Sequence, residues 1–154
     1  MFEPINLPFG AKMLFNTVKL KPGVSFDDVE VAVGEMCNVV KGAYGGDRGG
    51  FLAGQVFRFS GFVSDEGSLD ASCAADDHIA IVTYWRSFEG HEKSHADDIF
   101  QAKIGALAGL CSDSRELGSE PMWEGGRGGG GGNTGSAPGG AGPTHWSAPA
   151  TASA

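Results

Sequence analysis

The glycine-rich C-terminus limits how much of this chain can form a core. The chain has 154 residues, and residues 125–154 read GGRGGGGGNTGSAPGGAGPTHWSAPATASA, with almost no aliphatic side chains. Such a segment cannot bury enough apolar surface to offset the entropy lost when it orders. We therefore predict an N-terminal arm over residues 1–10, one folded domain over residues 11–124 and a disordered tail over residues 125–154.

The charge and the cysteines narrow the class of protein. The formal net charge is -8 and no Lys/Arg cluster is present, which argues against nucleic acid as a partner. No apolar run approaches the roughly 20 residues of a membrane span, and the N-terminus lacks the basic start of a signal peptide. Cys37, Cys73 and Cys111 are widely spaced without a CxxC pair, which favours reduced thiols. We expect a cytoplasmic protein with no membrane partner.

Hydrophobic periodicity predicts six elements. Residues 11–23 alternate with period two and end in Pro-Gly, as a strand does, and Ser25 opens a capping pattern for a helix over residues 26–41. Residues 51–64 and 78–85 have the composition of two further strands. Helical spacing begins at about residue 87, and residues 120–124 could form a short last strand. The predicted order is β-α-β-β-α-β.

That order is typical of the ferredoxin-like α+β fold, a four-stranded antiparallel sheet with two helices on one face. The other face of the sheet needs a cover. A second copy of the chain is the commonest solution, so we expect a homodimer or a larger homo-oligomer in which two sheets pack together.

The stretch HEKSH contains the strongest candidate for chemistry. His91 and His95 are four residues apart, so a helix places both on one face, where two imidazoles can bind one metal ion. The letters fit the HExxH pattern of zinc proteases, but such an enzyme also needs a third downstream ligand and a substrate cleft. The alternative is an exposed pair of polar side chains.

Two further groups bear on a metal site. Glu120 and Glu124 flank Trp123 on the predicted last strand, and two histidines with one carboxylate form the facial ligand set of mononuclear non-haem iron enzymes. Cys37 falls on the apolar side of the first helix. It is either inert packing or, if a metal in the same cavity lowers its pKa, a nucleophile.

The same residues carry a resemblance to a known family. The β-α-β-β-α-β order, with the Trp-x-Ser that begins the second helix at Trp85, resembles the dimeric α/β-barrel superfamily, which includes antibiotic-biosynthesis monooxygenases. Trp85 precedes His91 and His95 at the intervals seen in the sulfur oxygenase reductases of that superfamily. Within it, the chain most resembles one half of a sulfur oxygenase reductase, over about residues 15–124. The Glu120-Pro121 pair and the Val-Gly that shortly precedes Cys37 also match that family.

The resemblance implies a specific chemistry. His91, His95 and Glu120 would hold a mononuclear non-haem iron, and Cys37 would take up a sulfur chain. The reaction would be the oxygen-dependent disproportionation of elemental sulfur or a sulfur compound.

Two alternatives stand beside this hypothesis. One is a small cofactor-independent monooxygenase of the same fold, acting on an aromatic small molecule in a cavity lined by Asn16, Phe57, Phe59 and Trp85. Asn16 interrupts the apolar face of the first strand, so it is either satisfied by hydrogen bonds or lines that cavity. The other alternative is a non-catalytic dimeric binding or stress module.

Overall fold

The computed structural model describes residues 4–68 and 76–125, and four antiparallel strands form its sheet in the order β2-β3-β1-β4. The ferredoxin-like α+β fold is confirmed, with three helices instead of the two predicted. The strands are β1 (Lys12–Leu20), β2 (Phe51–Arg58), β3 (His78–Trp85) and β4 (Cys111–Ser119), and the helices are α1 (Phe26–Tyr44), α2 (Phe88–His95) and α3 (Asp98–Ala108).

The core lies between the helices and one face of the sheet. In the antiparallel pairing of β1 with β3, Leu14 is opposite Thr83 and Val18 is opposite Ile79, so these side chains share the face that the helices cover. The buried apolar residues are contributed by β1, β3, α1 and α3: Leu14, Val18, Leu20, Val29, Val33, Met36, Val40, Ile79, Ile81, Trp85, Phe100 and Leu107.

Two boundaries differ from the sequence prediction. The reciprocal hydrogen bonds of Ser25 and Asp28 begin α1 as predicted, but the helix continues beyond residue 41 to Tyr44. The strand predicted over residues 51–64 ends at Arg58, and Gly61 then takes a positive φ of 85° that strand backbone does not allow. Both shifts lie beside glycines, where periodicity is less informative.

The predicted second helix is interrupted after His95. The carboxylate of Asp97 accepts the backbone N–H groups of Ile99 and Phe100, so it caps a new helix instead of continuing the old one. Short-side-chain acids favour this position because they satisfy the free donors of a helix start. One predicted helix is therefore two, and α2 is a separate eight-residue segment.

The last strand was predicted in the wrong place. It lies over Cys111–Ser119 and pairs with β1, whereas residues 120–124 follow it without strand structure. The sequence CSDSRELGS is almost entirely polar, so it lacks the apolar alternation by which strands are recognised. An edge strand that is mostly exposed to solvent can be polar because its backbone pairing, not its side chains, holds it in the sheet.

The face of the sheet away from the helices exposes apolar side chains. Phe15 is opposite Val82 on β3 and Leu117 on β4, so these three residues form one row across the sheet. Phe15 is 39% exposed, Leu117 55% and Phe57 on β2 49%. We call the surface formed by Phe15, Phe57 and Leu117, with Val82 (5% exposed) in the same row, the open face.

Two parts of the sequence prediction fall outside the described residues. The predicted tail lies there apart from Gly125, and so does Cys73. Within the described ranges, no helix combines the length and the apolar character needed to cross a membrane.

Candidate functional site

Gly118 on β4 lets α2 lie close to the sheet, and Gly90 on α2 lets this helix lie close to the turn before β2. A side-chain Cβ on Gly118 of β4 would come within 2.7 Å of the Phe88 ring, so the first residue of α2 packs directly over that strand. A Cβ on Gly90 would come within 2.7 Å of the Gly49 carbonyl oxygen. Both distances are shorter than real Cβ contacts, and the Gly49 contact is the stricter one because a backbone carbonyl cannot turn aside as the Phe88 ring can. The two close approaches place the following turns of α2, with both histidines, above the helix-facing side of β4.

Glu116 is the carboxylate that β4 presents to this helix. It is opposite Asn16 of β1, which is itself opposite the buried Ile81, so the Glu116 side chain belongs to the helix-facing row. Its Oε1 lies 3.2 Å from His91 Nε2, and its Oε2 lies 3.6 Å from His95 Nε2. One carboxylate thus bridges two imidazoles, and we call these three residues the histidine cluster.

The cluster is buried on one side and accessible on the other. The His91 side chain is 5% exposed, whereas those of His95 and Glu116 are 32% and 28% exposed. His91 Nδ1 is buried without a hydrogen-bond partner in the described part of the chain, although the Glu92 carboxylate lies 3.3 Å away. His95 and Glu116 are therefore partly exposed to solvent, whereas His91 is enclosed.

The charges of the cluster stabilise one another. Burial alone would lower the pKa of His91, but the hydrogen bond and negative charge of Glu116, together with Glu92, raise that pKa above its ordinary value. Burial likewise opposes ionisation of Glu116, yet its bond to His91 and the charges of His91 and His95 lower the pKa of the carboxyl. His91 and Glu116 therefore favour the imidazolium–carboxylate state.

Aromatic rings enclose the two histidines. The Trp85 indole is 1% exposed and meets the His91 ring edge-on at 5.3 Å between centroids. The Phe100 ring stacks on His95 at 5.1 Å with 25° between the planes. The centroids of the His91 and His95 rings are 4.3 Å apart. Apolar walls of this kind reduce local solvation and strengthen the electrostatic interactions between the polar groups.

The cluster also has the spacing of a metal-ligand set. One ligand atom from each of His91, His95 and Glu116 can be chosen so that all three lie within 4.8 Å of one another. Two imidazoles and a carboxylate suit divalent first-row metals. The assignment of His91 and His95 as metal ligands stays a prediction.

The carboxylate assigned by sequence is elsewhere. Glu120 forms an ion pair with Lys12, and its side chain is 64% exposed. Glu120 and Glu124 line a separate surface cavity of about 310 Å³ together with Trp123 and the N-terminal segment around Phe9. The structure brings Glu116, four residues earlier, to the histidines instead. Sequence reasoning missed Glu116 because residues 111–119 carry no apolar strand pattern.

Cys37 packs in the core without electrostatic activation. It lies on α1 as predicted, half-buried against the core. Burial raises the pKa of its thiol, which disfavours the thiolate that a nucleophile needs. The predicted catalytic role has no support from its surroundings.

The four residues predicted to line one cavity lie on different parts of the sheet. Asn16 and Trp85 lie in the helix-facing rows, and Asn16 Oδ1 accepts a hydrogen bond from the Ser114 hydroxyl at 3.0 Å. Phe57 is opposite Ala80 and so belongs to the open face. Phe59 follows β2 and stacks on His78 at 4.9 Å. Of the predicted lining, Trp85 contacts His91 of the histidine cluster, and Asn16 is the cross-strand neighbour of Glu116.

Comparison with known proteins finds the fold but no close relative. No known protein-family profile and no curated protein sequence matches the chain. Among solved structures, the cofactor-independent oxygenase SnoaB of Streptomyces nogalater superposes with a TM-score of 0.53 at 11% identity, over 75% of this chain and 96% of that one. A protein assigned to the antibiotic biosynthesis monooxygenases, from Caulobacter crescentus, gives 0.55 at 14% identity, over 75% and 92%. A dimeric ferredoxin-like protein of unknown function from Thermobifida fusca gives 0.54 at 14% identity, over 77% and 100%.

These neighbours correct one expectation. The predicted mononuclear non-haem iron is contradicted, because the neighbour named as an oxygenase with this fold is cofactor-independent. The fold therefore does not imply an iron centre, and the carboxylate proposed to complete it is paired with Lys12. The neighbours are antibiotic-biosynthesis-monooxygenase-like proteins, and they give the likeness to a sulfur oxygenase reductase no support.

Proposed function

We propose that this chain is a small oxygenase that needs no cofactor and acts on an electron-rich aromatic molecule, with His95 as the general base. The observation that carries the proposal is the half-open histidine cluster, in which His95 is accessible while Glu116 and the buried His91 fix its surroundings. The shared fold with a cofactor-independent oxygenase supports the same reaction class.

The chemistry follows from the absence of an external electron donor in such a reaction. The substrate itself must reduce dioxygen, so it must form an electron-rich anion, as a phenol does when it loses its proton. For a phenol oxidised to a quinone, one oxygen atom of dioxygen becomes the new quinone oxygen. The other leaves as water with the two hydrogens lost from the ring carbon and the hydroxyl group.

The site offers the groups that the first step needs. A general base must lie within hydrogen-bond reach of the proton it removes, and His95 has the exposure for such contact. Glu116 holds its second oxygen 3.6 Å from His95 Nε2, where a carboxylate orients the ring and stabilises the imidazolium that forms. Phe100, which is 5% exposed, stacks on His95 from the core side and holds the imidazole ring in place.

Oxygen uptake with a panel of phenols and hydroquinones tests the proposal. We expect uptake with at least one compound, and a loss of about 10²–10⁴-fold in His95→Gln, the range typical of a removed general base. His78→Gln is the matched control, because His78 stacks on Phe59 outside the cluster. Full activity of His95→Gln, or no uptake by the wild-type protein with any compound, would overturn the proposal.

We further propose that the open face binds the same face of a second copy. Phe15, Phe57 and Leu117 expose apolar surface on it, and apolar patches of this kind mark interaction sites. The related Thermobifida fusca fold is named dimeric, which supports a second copy over another partner. The histidine cluster faces the helices, so this interface would leave its entrance open.

A further inference from the structure

The hydroxyl of Tyr44 ties the end of α1 to the junction between α2 and α3. Tyr44 is the last residue of α1, and its hydroxyl donates to Asp97 Oδ2 at 2.9 Å. The other oxygen of Asp97 accepts the backbone N–H groups of Ile99 and Phe100 at 2.9 and 3.0 Å. One carboxylate therefore serves both a helix start and a contact between residues far apart in the chain.

Each of the two residues is connected to one histidine of the cluster through an aromatic side chain. On the Asp97 side, the capped turn of α3 carries Phe100, whose ring stacks on His95. On the Tyr44 side, the phenol ring lies 6.4 Å from the Trp85 indole, which in turn meets His91 edge-on. The two walls of the histidine cluster are thus joined behind the site by a single hydrogen bond.

The bond has the properties of a fixed contact. Asp97 accepts three hydrogen bonds, two from backbone N–H groups and one from the Tyr44 hydroxyl, and an aspartate is ionised at neutral pH. Hydrogen bonds to an ionised acceptor are stronger than neutral ones. Tyr44 and Asp97 are each half-buried, which limits competition from water.

We propose that Tyr44 and Asp97 are positioning residues that set the orientation of His91 and His95 through Trp85 and Phe100. Neither residue contacts the reacting groups, so the role is indirect. Its consequence for turnover rests on the oxygenase function proposed above. Its consequence for the histidine rings is independent of any substrate.

The competing explanation is that the bond merely holds α1 against α3. The chain provides a control for it, because Lys103 on α3 forms an ion pair with Glu35 on α1 at 2.8 Å. That contact joins the same two helices without touching an aromatic residue of the site. Tyr44→Phe removes the hydroxyl and keeps the ring, and Lys103→Gln breaks the control contact.

NMR of the histidine ring protons and nitrogens, at one fixed pH and without substrate, separates the two explanations. The stacked Phe100 imposes a ring-current shift on His95, so a moved wall changes that signal. We expect the His91 and His95 signals of Tyr44→Phe to move well beyond those of Lys103→Gln. Unchanged signals, or equal changes in both variants, would overturn the positioning role.

Turnover gives the second measurement. With a responsive phenol, we expect kcat of Tyr44→Phe to fall roughly two- to tenfold at unchanged KM, the scale of one lost hydrogen bond. Lys103→Gln should keep the wild-type kcat. A lack of oxygen uptake in the wild-type protein would overturn the proposed oxygenase function, whereas the NMR comparison would still test the positioning role. Unchanged kcat in Tyr44→Phe alongside an active wild type would count against positioning.

Discussion

The two faces of the sheet depart from the usual distribution of residues in opposite ways. On the helix-facing side, where apolar packing is expected, Glu116 and His91 form an ion pair next to the core. On the open face, where polar residues would be ordinary, Phe15 and Leu117 lie exposed. A buried polar group and an exposed apolar patch are the two informative exceptions to simple burial. In the proposed function, the helix-facing side serves chemistry and the open face serves association.

The largest expected effect concerns the open face. We predict that Leu117→Asp weakens homodimerisation at least about a hundredfold. An interface with two-fold symmetry buries two copies of the leucine, each contributing about 1.5–3 kcal/mol. Sedimentation velocity over a dilution series measures the change in Kd.

Val31→Asp is the matched control for this variant. Val31 is 67% exposed on α1, away from the open face, so the substituted protein should dimerise as the wild type does. A wild-type protein that stays monomeric at high concentration, or a Leu117→Asp protein that still dimerises, would contradict the proposed interface.

A smaller effect is expected from the ion pair between His91 and Glu116, which should contribute about 1–2 kcal/mol to the free energy of unfolding. The pKa of His91 is raised in the folded protein, so its protonation stabilises the fold at pH values below the ordinary histidine pKa of 6.5. This contribution is lost as the pH rises through the pKa of His91 in the folded protein. The pKa of Glu116 is lowered in the folded protein, so its ionisation stabilises the fold at pH values above the ordinary glutamate pKa of 4.5. This contribution is lost as the pH falls through the pKa of Glu116 in the folded protein. Both contributions are present between pH 4.5 and 6.5.

Urea unfolding as a function of pH measures that contribution. We predict that Glu116→Gln destabilises the protein most within this window and less at higher pH. Glu89→Gln is the control, since it removes an exposed pair with Lys93 and should cost little at any pH. An equal loss of stability at every pH would mean that Glu116 acts by packing and not by charge.

The sequence was sufficient for the fold where side-chain patterns match their environment. The alternation of β1, the apolar run of β3 and the Ser25 cap are local signals, and each predicts an element that the structure contains. The break after His95 could have been found from Asp97, a strong capping residue inside a helical pattern.

The histidine cluster was only partly accessible from sequence. The spacing of His91 and His95 places both rings on one helix face, because helix geometry is local. Glu116 depends on the register between β4 and β1, which pairs it with Asn16 across a hundred residues of chain. A polar edge strand gives no periodic signal for that register, and Glu120-Pro121 is the more conspicuous carboxylate in the sequence.

Oxygen uptake by metal-depleted protein tests the central claim most directly. The protein would be dialysed against a strong chelator, checked for residual transition metals by mass spectrometry, and assayed with a responsive phenol. We predict that uptake is unchanged and still depends on His95. Loss of uptake after depletion, with recovery when one divalent metal is restored, would contradict an oxygenase that works without a cofactor.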